Sequence, residues 1–532
     1  MVTRDGRLQR ATANMRNMRS TVRSVFVLLG SLLLGAAIFA ACGGAVEEAA
    51  TVNPGAESPE TQPAQDTTDV ATTEVDTDSE ADTDAEPTAS EISFAADVQP
   101  ILEANCVSCH SGTGPGTTHL VMETASDIAS IAEFAAFRVQ EGQMPPWPQS
   151  GLQEVAYQYD LSMSDADRQV IADWAANGGA LDVADDAPLT STQQAFPPID
   201  ADLVINADEP YPGSNAIDDY RCRFLDPGFT DTNWITSIET RPDETRVLHH
   251  SLIYKLPAEL VAEADALRGA DGLPGWNCQT VPRVGADRLE QVAGWAPGTG
   301  PVTLPEGSGL QMEAGDIFVV QWHYHYDDEP LPDNSGIAIE VADDALLEAN
   351  GGSLTAVDFP SLLAPVEIPC ASFESGPLCD RDAALQRIVQ EFGLESSLIP
   401  TFVNQFCGVT PEDFAQFTDG VASSSCDQEV RGGIVGDVVS IWPHMHELGS
   451  TYRMTLNPDT PDERILIDID RWDFNWQLGY YPDEPLAFEQ GDVLRIECGW
   501  DRSKWPADVE SRYVVWAEGT QDEMCFTGLA LR

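Results

Sequence analysis

Basic residues are scarce in this chain. Its 532 residues include 27 lysines and arginines against 88 aspartates and glutamates, so the formal net charge at pH 7 is −61. A surface with this charge repels the phosphates of nucleic acids, and we therefore expect no nucleic-acid partner. The excess of acidic residues indicates instead a strongly hydrated surface.

Residues 43–90 lack lysine, arginine, histidine and aromatic side chains altogether. They are rich in Thr, Asp, Glu, Ala and Pro, and thirteen of them are acidic. A segment of this composition cannot bury enough apolar surface to fold. It is predicted to be a disordered acidic linker.

An apolar run, Val25–Ala41, follows six arginines and precedes Cys42. Such a segment is typical of an export signal, and Phe39–Cys42 resembles a bacterial lipobox. Residues 1–42 are therefore predicted to be a lipoprotein signal peptide, with a lipid on Cys42 that anchors the protein to the membrane on the periplasmic or cell-surface side. The alternative is an uncleaved anchor, because the run is close to membrane-spanning length. Both place the remaining chain outside the cytoplasm.

Histidine is also scarce, and seven of the eight histidines fall into four clusters. Because imidazole is the commonest metal-ligating side chain, this distribution indicates metal chemistry. The clusters are Cys106-x-x-Cys109-His110, His249-His250, His323-x-His325 and His444-x-His446, and His119 stands alone.

The Cys106-x-x-Cys109-His110 motif predicts one covalently attached haem c, with two thioethers and an axial imidazole. A bare Cys-x-x-Cys could hold zinc or do redox work instead. Residues 91–185 have helical periodicity and resemble bacterial c-type cytochrome domains whose distal methionine lies in a Met-Pro-Pro-Trp loop. The resemblance implies that His110 and Met144 are the axial ligands. His119 is the alternative sixth ligand.

The chain contains eleven cysteines. Setting aside Cys42, Cys106 and Cys109 leaves eight, an even number that suggests four disulfides in an exported protein. Their pairing does not follow from spacing.

From residue 199 onward, short β-rich runs alternate with Pro, Gly and Asp clusters. This texture predicts all-β sandwich domains. A helical insertion is expected at Ala383–Phe406, between Cys379 and Cys407.

The remaining histidine pairs differ in their geometry on a strand. His444 and His446 project to the same face and could share one ion, with Met524 as a softer third ligand that favours copper. His249 and His250 point to opposite faces unless the strand is bulged or twisted. His323 would complete a site of three imidazoles.

Residues 199–532 are similar to the copper type II, ascorbate-dependent monooxygenases, the family of dopamine β-monooxygenase and peptidylglycine α-hydroxylating monooxygenase. The ordered set of stretches is what makes the similarity specific. The matching stretches are Asp219–Cys222, Leu248–Leu252, Val320–His325, His444–Gly449, Gly491–Leu494 with Cys498, and Gly519–Cys525.

This resemblance implies two jelly-roll-like sandwiches, residues 199–365 and 366–532, that face each other across a water-filled cleft. Each holds one copper ion, so the expected cofactors are two copper ions and one haem c. The implied ligands are His249, His250 and His323 for the electron-donating copper, and His444, His446 and Met524 for the oxygen-binding copper. The implied disulfides are Cys498–Cys525 and Cys222–Cys278. The resemblance gives His325 no ligand role and leaves the role of Tyr220 open.

This sequence departs from the pattern of the family at two places. Trp442 stands where peptide-amidating members carry an arginine that binds the substrate carboxylate, so an apolar or aromatic substrate is expected instead of a peptide C-terminus. The insertion at residues 370–426 has no counterpart in the resemblance.

The expected function is hydroxylation of a C–H bond of a small organic substrate with O₂. Electrons would come from an external reductant or electron-transfer protein and could enter through the fused haem. The alternatives are a non-enzymatic copper-binding or electron-transfer lipoprotein, and a structural module whose histidines bind no metal.

Overall fold

The computed structural model describes residues 92–532 except 113, 119, 193–198, 217, 279–283, 285–288, 298, 327–329, 507 and 508. The predicted signal peptide, the predicted acidic linker and His119 therefore lie outside the described residues. Within the described part, no helix is long and apolar enough to cross a membrane.

Residues 92–190 form a helical segment. After a π-helical turn at Phe94–Val98, the helices are α1 (Gln99–Asn105), α2 (Val107–His110), α3 (Ala125–Ala129), α4 (Ala132–Gln140) and α5 (Asp165–Ala176). The Ser164 hydroxyl accepts a hydrogen bond from the Asp167 N–H (3.1 Å), which caps the N-terminus of α5. Phe94, Ile128 and Trp174 are fully buried in the core of this segment.

The rest of the chain is mostly β-sheet, and its strands fall into two groups. The first group is β1 (Leu203–Asn206), β2 (Asp218–Leu225), β3 (Asn233–Arg241), β4 (Leu248–Leu256), β5 (Trp276–Asn277), β6 (Glu290–Trp295), β7 (Val302–Thr303), β8 (Ser308–Met312), β9 (Ile317–His325), β10 (Gly336–Val341) and β11 (Thr355–Ala356). Two short helices, α6 (Val261–Asp265) and α7 (Asp344–Ala349), lie between them.

These strands form two sheets that enclose one apolar core. One sheet has the order β1-β10-β3-β8-β11 with β7 beside β3, and the other has the order β5-β2-β9-β4-β6. Ile235 and Ile337 of the first sheet and Val320 of the second are fully buried in that core. We call this unit the first sandwich.

The second group is β12 (Ser361–Leu363), β13 (Glu367–Ile368), β14 (Val421–Glu429), β15 (Gly436–His444), β16 (Gly449–Leu456), β17 (Arg464–Ile469), β18 (Ala487–Phe488), β19 (Val493–Asp501), β20 (Val514–Val515) and β21 (Phe526–Leu531). The sheets are β14-β19-β16-β17, β12-β21-β15-β18 and the pair β13-β20. Their shared core includes Ile441, Ile496 and Trp500, all fully buried. We call this unit the second sandwich.

The predicted helical insertion is present as two helices, α8 (Arg381–Phe392) and α9 (Leu394–Cys407). Gly393 separates them with a φ of 96°, a backbone conformation that favours glycine.

Four disulfides confirm the pairing of the eight remaining cysteines. Cys222–Cys278 and Cys498–Cys525 are the two pairs that the resemblance implies. Cys370–Cys379 and Cys407–Cys426 flank α8 and α9. Cys106 and Cys109 are not joined to each other or to another cysteine.

An extended stretch of the helical segment, residues 147–158, packs on the second sandwich, and we call it the strap. The N–H groups of Ser150 and Glu154 donate to the carbonyls of Asp468 and Ile465 on β17, each at 2.8 Å. The Tyr157 hydroxyl donates to the Leu466 carbonyl at 2.8 Å. The helical segment is therefore joined to the second sandwich by sheet-like pairing.

Candidate metal centre

Three histidines meet on the sheet β5-β2-β9-β4-β6 of the first sandwich, on the face turned away from its core, where β4 runs beside β9. His250 pairs with His323, and the register shifts between Leu248 and His250, so His249 lies in a β-bulge. A bulge re-aims a side chain that would otherwise point to the opposite face of the sheet. It explains how two consecutive histidines contribute to one cluster, which the alternating geometry of a regular strand would prevent.

The three imidazoles converge through their Nδ1 atoms. The Nδ1 atoms of His249 and His250 are 3.0 Å apart, and those of His323 and His250 are 3.3 Å apart. One ring nitrogen from each of the three histidines lies within 4.8 Å of the others. Metal–nitrogen bonds of about 2 Å place neighbouring ligand atoms roughly 2.8–3.3 Å apart. The cluster therefore has the dimensions of a three-nitrogen metal site.

Neighbouring groups prepare these imidazoles for ligation. Burial lowers the pKa of His249, His250 and His323, which keeps the rings neutral and their lone pairs free. The Asp218 carboxylate bonds His323 Nε2 at 2.9 Å and His325 Nδ1 at 2.8 Å. A carboxylate behind a metal-binding histidine fixes its tautomer and raises its basicity. His325 is thus placed behind the cluster.

Tyr220 also orders this cluster. Its ring stacks on His323, with centroids 4.1 Å apart and an interplanar angle of 9°. Its hydroxyl donates to the Glu518 carbonyl of the second sandwich at 3.3 Å. Tyr220 therefore connects the first histidine group to the loop that precedes Met524.

The second sandwich brings together His444, at the end of β15, and His446. His444 Nδ1 contacts Gln477 Oε1, and His446 Nδ1 donates to the Asp522 carbonyl at 3.1 Å. Because Nδ1 carries the proton in both bonds, Nε2 is the nitrogen left to bind a metal. Burial lowers the pKa of His444 to about 4 and that of His446 to about 3, so both rings are neutral.

Met524 belongs to the loop that supports this second group. Phe526, two residues later, is the Cα partner of His444 between β21 and β15. Met524 is 6% exposed and lies in the core of the second sandwich. The Cys498–Cys525 disulfide ties the loop to β19. The chain therefore places a buried thioether two residues before the strand that pairs with His444.

The carboxylate of Glu523 fixes the backbone turn that follows His444 next to the loop that carries Met524. Its carboxylate accepts from the N–H groups of His446 (3.0 Å), Leu448 (2.6 Å), Gly449 (3.1 Å) and Met524 (3.2 Å). It also accepts from Trp500 Nε1 at 3.1 Å. Burial raises the pKa of Glu523 to about 8, and the hydrogen bonds from His446, Leu448, Trp500 and Met524 act in the opposite direction.

The insertion supports the same loop. Arg387 of α8 forms an ion pair with Asp522, whose carbonyl bonds His446, and Arg512 lies 4.0 Å from the same carboxylate. Asp522 is 2% exposed, so these cations offset the cost of burying its charge. The insertion is thereby part of the scaffold of the second histidine group.

The two histidine groups touch each other. The ring centroids of His250 and His444 are 6.0 Å apart. Phe474 of the second sandwich stacks on His249 at 4.3 Å and lies 6.3 Å from His446. This differs from the water-filled cleft that the resemblance implies, because the ring of Phe474 lies between His249 and His446.

The Cys106-x-x-Cys109-His110 motif lies on α2. His110 Nδ1 donates to the Leu120 carbonyl at 3.1 Å, which leaves Nε2 free to bind iron. Burial raises the pKa of the Cys106 thiol to about 12. A Cβ at Gly116 would lie 2.7 Å from the His110 ring, so glycine is required beside it. Met144 packs, with Cys106, against the core of the helical segment.

A small recess open to solvent, with a cavity volume of about 60 Å³, lies near the second histidine group. None of the described residues that line it is charged, and most of them come from β6 of the first sandwich and from β15 and β21 of the second. Trp442 lines it, with its ring centroid 5.4 Å from that of His444. Glycines at 294 and 528 leave room for the indole: a Cβ there would lie 3.6 and 3.5 Å from it.

No family model matches this chain, and no curated protein matches it. Among solved structures, a Paenibacillus xanthan lyase aligns at 10% identity and a TM-score of 0.13, over 65% of this chain and 28% of the lyase. A two-domain protein of unknown function from Bacteroides fragilis aligns at 7% identity and a TM-score of 0.13, over 61% of this chain and 95% of that one. The tandem CBM22 domain of a Paenibacillus barcinonensis protein aligns at 9% identity and a TM-score of 0.12, over 64% of this chain and 99% of that one.

Sequence reasoning missed the residues that support the histidines. Asp218, Phe474, Gln477 and Glu523 carry no motif spacing, and all four lie more than 25 residues from the histidine that they contact. A signal existed only for Glu523, which adjoins Met524 in a stretch that matches the family.

Proposed function

We propose that this protein is a copper-dependent monooxygenase that hydroxylates a C–H bond of a small organic substrate with O₂. The observation that carries the proposal is the convergence of three neutral imidazoles through Nδ1, two of them buried and that of His249 half-buried, in contact with a second pair that presents Nε2. Imidazole with thioether is a donor set that suits copper. On this proposal the sandwiches are the jelly-roll-like domains of the copper type II monooxygenases.

His249, His250 and His323 would hold one copper ion, and His444, His446 and Met524 would hold the other. When bound, copper supplies one-electron redox chemistry and activation of dioxygen. Asp218 orients His323, Gln477 orients His444, and the Asp522 carbonyl orients His446. Phe474 excludes water from the contact between the two groups. The chain's own contribution is thus a dry, preorganised set of neutral ligands.

The helical segment is proposed to be a cytochrome c-like domain. Cys106 and Cys109 would form the thioether links, and His110 with Met144 would bind the iron. The unpaired thiols and the free Nε2 of His110 support this assignment. The four disulfides support export, and a lipid on Cys42 would anchor the protein to the membrane.

The proposed substrate is neutral and apolar or aromatic. The recess beside His444 has no charged lining residue among those described, and Trp442 presents its ring there. A carboxylate or phosphate buried in this recess would lack a cationic partner, which is unfavourable. An aromatic ring could pack against Trp442 and Phe526 at little cost.

Metal analysis of the purified protein tests the proposal. We expect two copper ions and one haem per chain, and reductant-dependent transfer of one ¹⁸O atom from labelled O₂ to an aromatic compound, read by mass spectrometry. Two bound copper ions without oxygen transfer would favour the non-enzymatic electron-transfer alternative. If the protein binds no copper, the remaining alternative is a structural module whose histidines bind no metal.

Narrowing the recess should separate substrate binding from metal binding. In Gly528→Val the added side chain fills space beside Trp442, so we expect kcat/KM to fall about tenfold or more while copper content is unchanged. Gly433→Val is the matched control, because a Cβ at Gly433 meets no atom within 4 Å. Equal activity of the two variants would show that the substrate does not bind in this recess.

A further inference from the structure

We propose that Trp147 and Tyr480 carry electrons from the haem segment directly to the His444 group, so that the haem serves the second sandwich and not the His249 group. This inference rests on the proposed function, because it requires haem and copper in the sites assigned above. It concerns a route that the copper-monooxygenase resemblance does not supply, since that resemblance covers only residues 199–532.

The first step of the route is the attachment of the helical segment. The strap pairs with β17 through Ser150 and Glu154, and it continues onto the loop before β18. There the Gln158 N–H donates to the Tyr481 carbonyl at 2.8 Å, and the Asp483 N–H donates to the Ala156 carbonyl at 2.9 Å. These bonds hold the end of the Met-Pro-Pro-Trp loop against the sandwich that carries His444.

The second step joins the two cores through four consecutive residues. Met144 packs against the core of the helical segment, whereas Trp147 is 7% exposed and belongs to the core of the second sandwich. The Trp147 N–H donates to the Pro145 carbonyl at 2.8 Å, which turns the chain between them. The proposed iron ligand and the buried indole are therefore separated by two prolines only.

The third step passes through Tyr480. Its ring lies edge-on to Trp147, with centroids 5.4 Å apart, and edge-on to Tyr157 at 5.3 Å. Tyr480 is 1% exposed, and its hydroxyl has no hydrogen-bond partner among the described residues. The side chain of Tyr480 is therefore held in the core by its contacts with the rings of Trp147 and Tyr157.

The last step reaches His444 by two short paths. The Tyr480 N–H donates to the Ile441 carbonyl at 2.8 Å, and the Ile441 N–H donates to the Tyr480 carbonyl at 2.9 Å. Ile441 lies on β15, three residues before His444. Three residues before Tyr480, Gln477 contacts His444 Nδ1. Both paths end on the proposed ligand of the second sandwich.

The transfer balances as an outer-sphere step. One electron leaves ferrous iron held by His110 and Met144, which becomes ferric, and one cupric ion held by His444, His446 and Met524 becomes cuprous. No bond forms or breaks, and no proton moves. A one-electron reductant, such as ascorbate or a reduced electron-transfer protein, restores the ferrous iron before each transfer.

Flash reduction of the copper-loaded, haem-loaded protein under argon measures this step. The haem absorbance reports loss of the electron from iron, and the Cu(II) resonance reports its arrival. We expect Trp147→Leu and Tyr480→Leu each to slow haem reoxidation by about tenfold or more. Tyr480→Phe keeps the ring and should retain the native rate. Trp505→Leu removes a tryptophan that packs on the same core beside Arg502, and it should also retain the native rate.

Copper-site variants identify the acceptor without changing the aromatic residues. Haem reoxidation should be lost in His446→Ala and retained in His250→Ala. The opposite pattern, or native rates in Trp147→Leu and Tyr480→Leu, would overturn the route. If these two variants show native rates of haem reoxidation but the protein binds two copper ions and haem and transfers oxygen, the route is wrong and the proposed function stands. If the protein binds no copper, both the route and the proposed function are wrong. Because the histidine variants are independent of Trp147, the test remains decisive if Trp147→Leu does not fold.

Discussion

Replacement of Glu523 by leucine is expected to unfold the second sandwich or to empty its histidine group. The carboxylate is the acceptor for four backbone N–H groups and for Trp500 Nε1, and all of them are buried. Each buried donor left without an acceptor costs about 1–3 kcal/mol. Five such losses are comparable with the total stability of a domain, which is about 5–15 kcal/mol. Thermal unfolding and copper content measure the outcome.

Two control variants isolate the effect of Glu523. Glu523→Gln retains one acceptor oxygen but turns an NH₂ group toward N–H donors, so we expect an intermediate loss of stability. Glu429→Leu removes a carboxylate from the exposed face of β14, and its stability should change by less than about 0.5 kcal/mol. A Glu523→Leu protein with native unfolding temperature and two copper ions would show that the turn does not depend on this carboxylate.

Replacement of His323 by alanine is expected to remove the copper ion of the first sandwich and to abolish oxygen transfer. His323 contributes one of the three converging Nδ1 atoms, and the two remaining ligands are adjacent residues of one bulged strand. Asp218→Asn should weaken copper binding by about 10–100-fold, because the amide supports His323 less well than the carboxylate does. Copper stoichiometry and a competitive chelator titration give both values.

His325→Ala is the matched control for His323→Ala. Both histidines bond the same Asp218 oxygen, but His325 is outside the group of converging nitrogen atoms. His325→Ala should therefore retain two copper ions per chain. Loss of one copper ion in this variant, with retention in His323→Ala, would exchange the roles of the two residues.

Features that depend on residues close together in the chain were predictable from the sequence. The helical insertion and the four disulfides expected from eight cysteines are both present. The bulge at His249 followed from the need for two adjacent histidines to serve one cluster. The break at Gly393 was missed, although glycine in a helical pattern is a signal for it.

Contacts between distant parts of the chain were not predictable from these patterns. Phe474 and Gln477 lie in a loop without periodicity, and they acquire their roles because that loop folds back on β15. The strap has the composition of an ordinary linker, and its pairing with β17 depends on an edge that only the folded sandwich presents. The closeness of the two histidine groups likewise depends on how the sandwiches pack.

The strap also has a consequence for solubility. β17 ends its sheet, and a bare edge strand invites pairing with another chain. Here Ser150 and Glu154 occupy that edge, while Trp147 packs in the apolar core of the second sandwich. The second sandwich produced alone would expose both features and should self-associate, because the strap would no longer cover this edge.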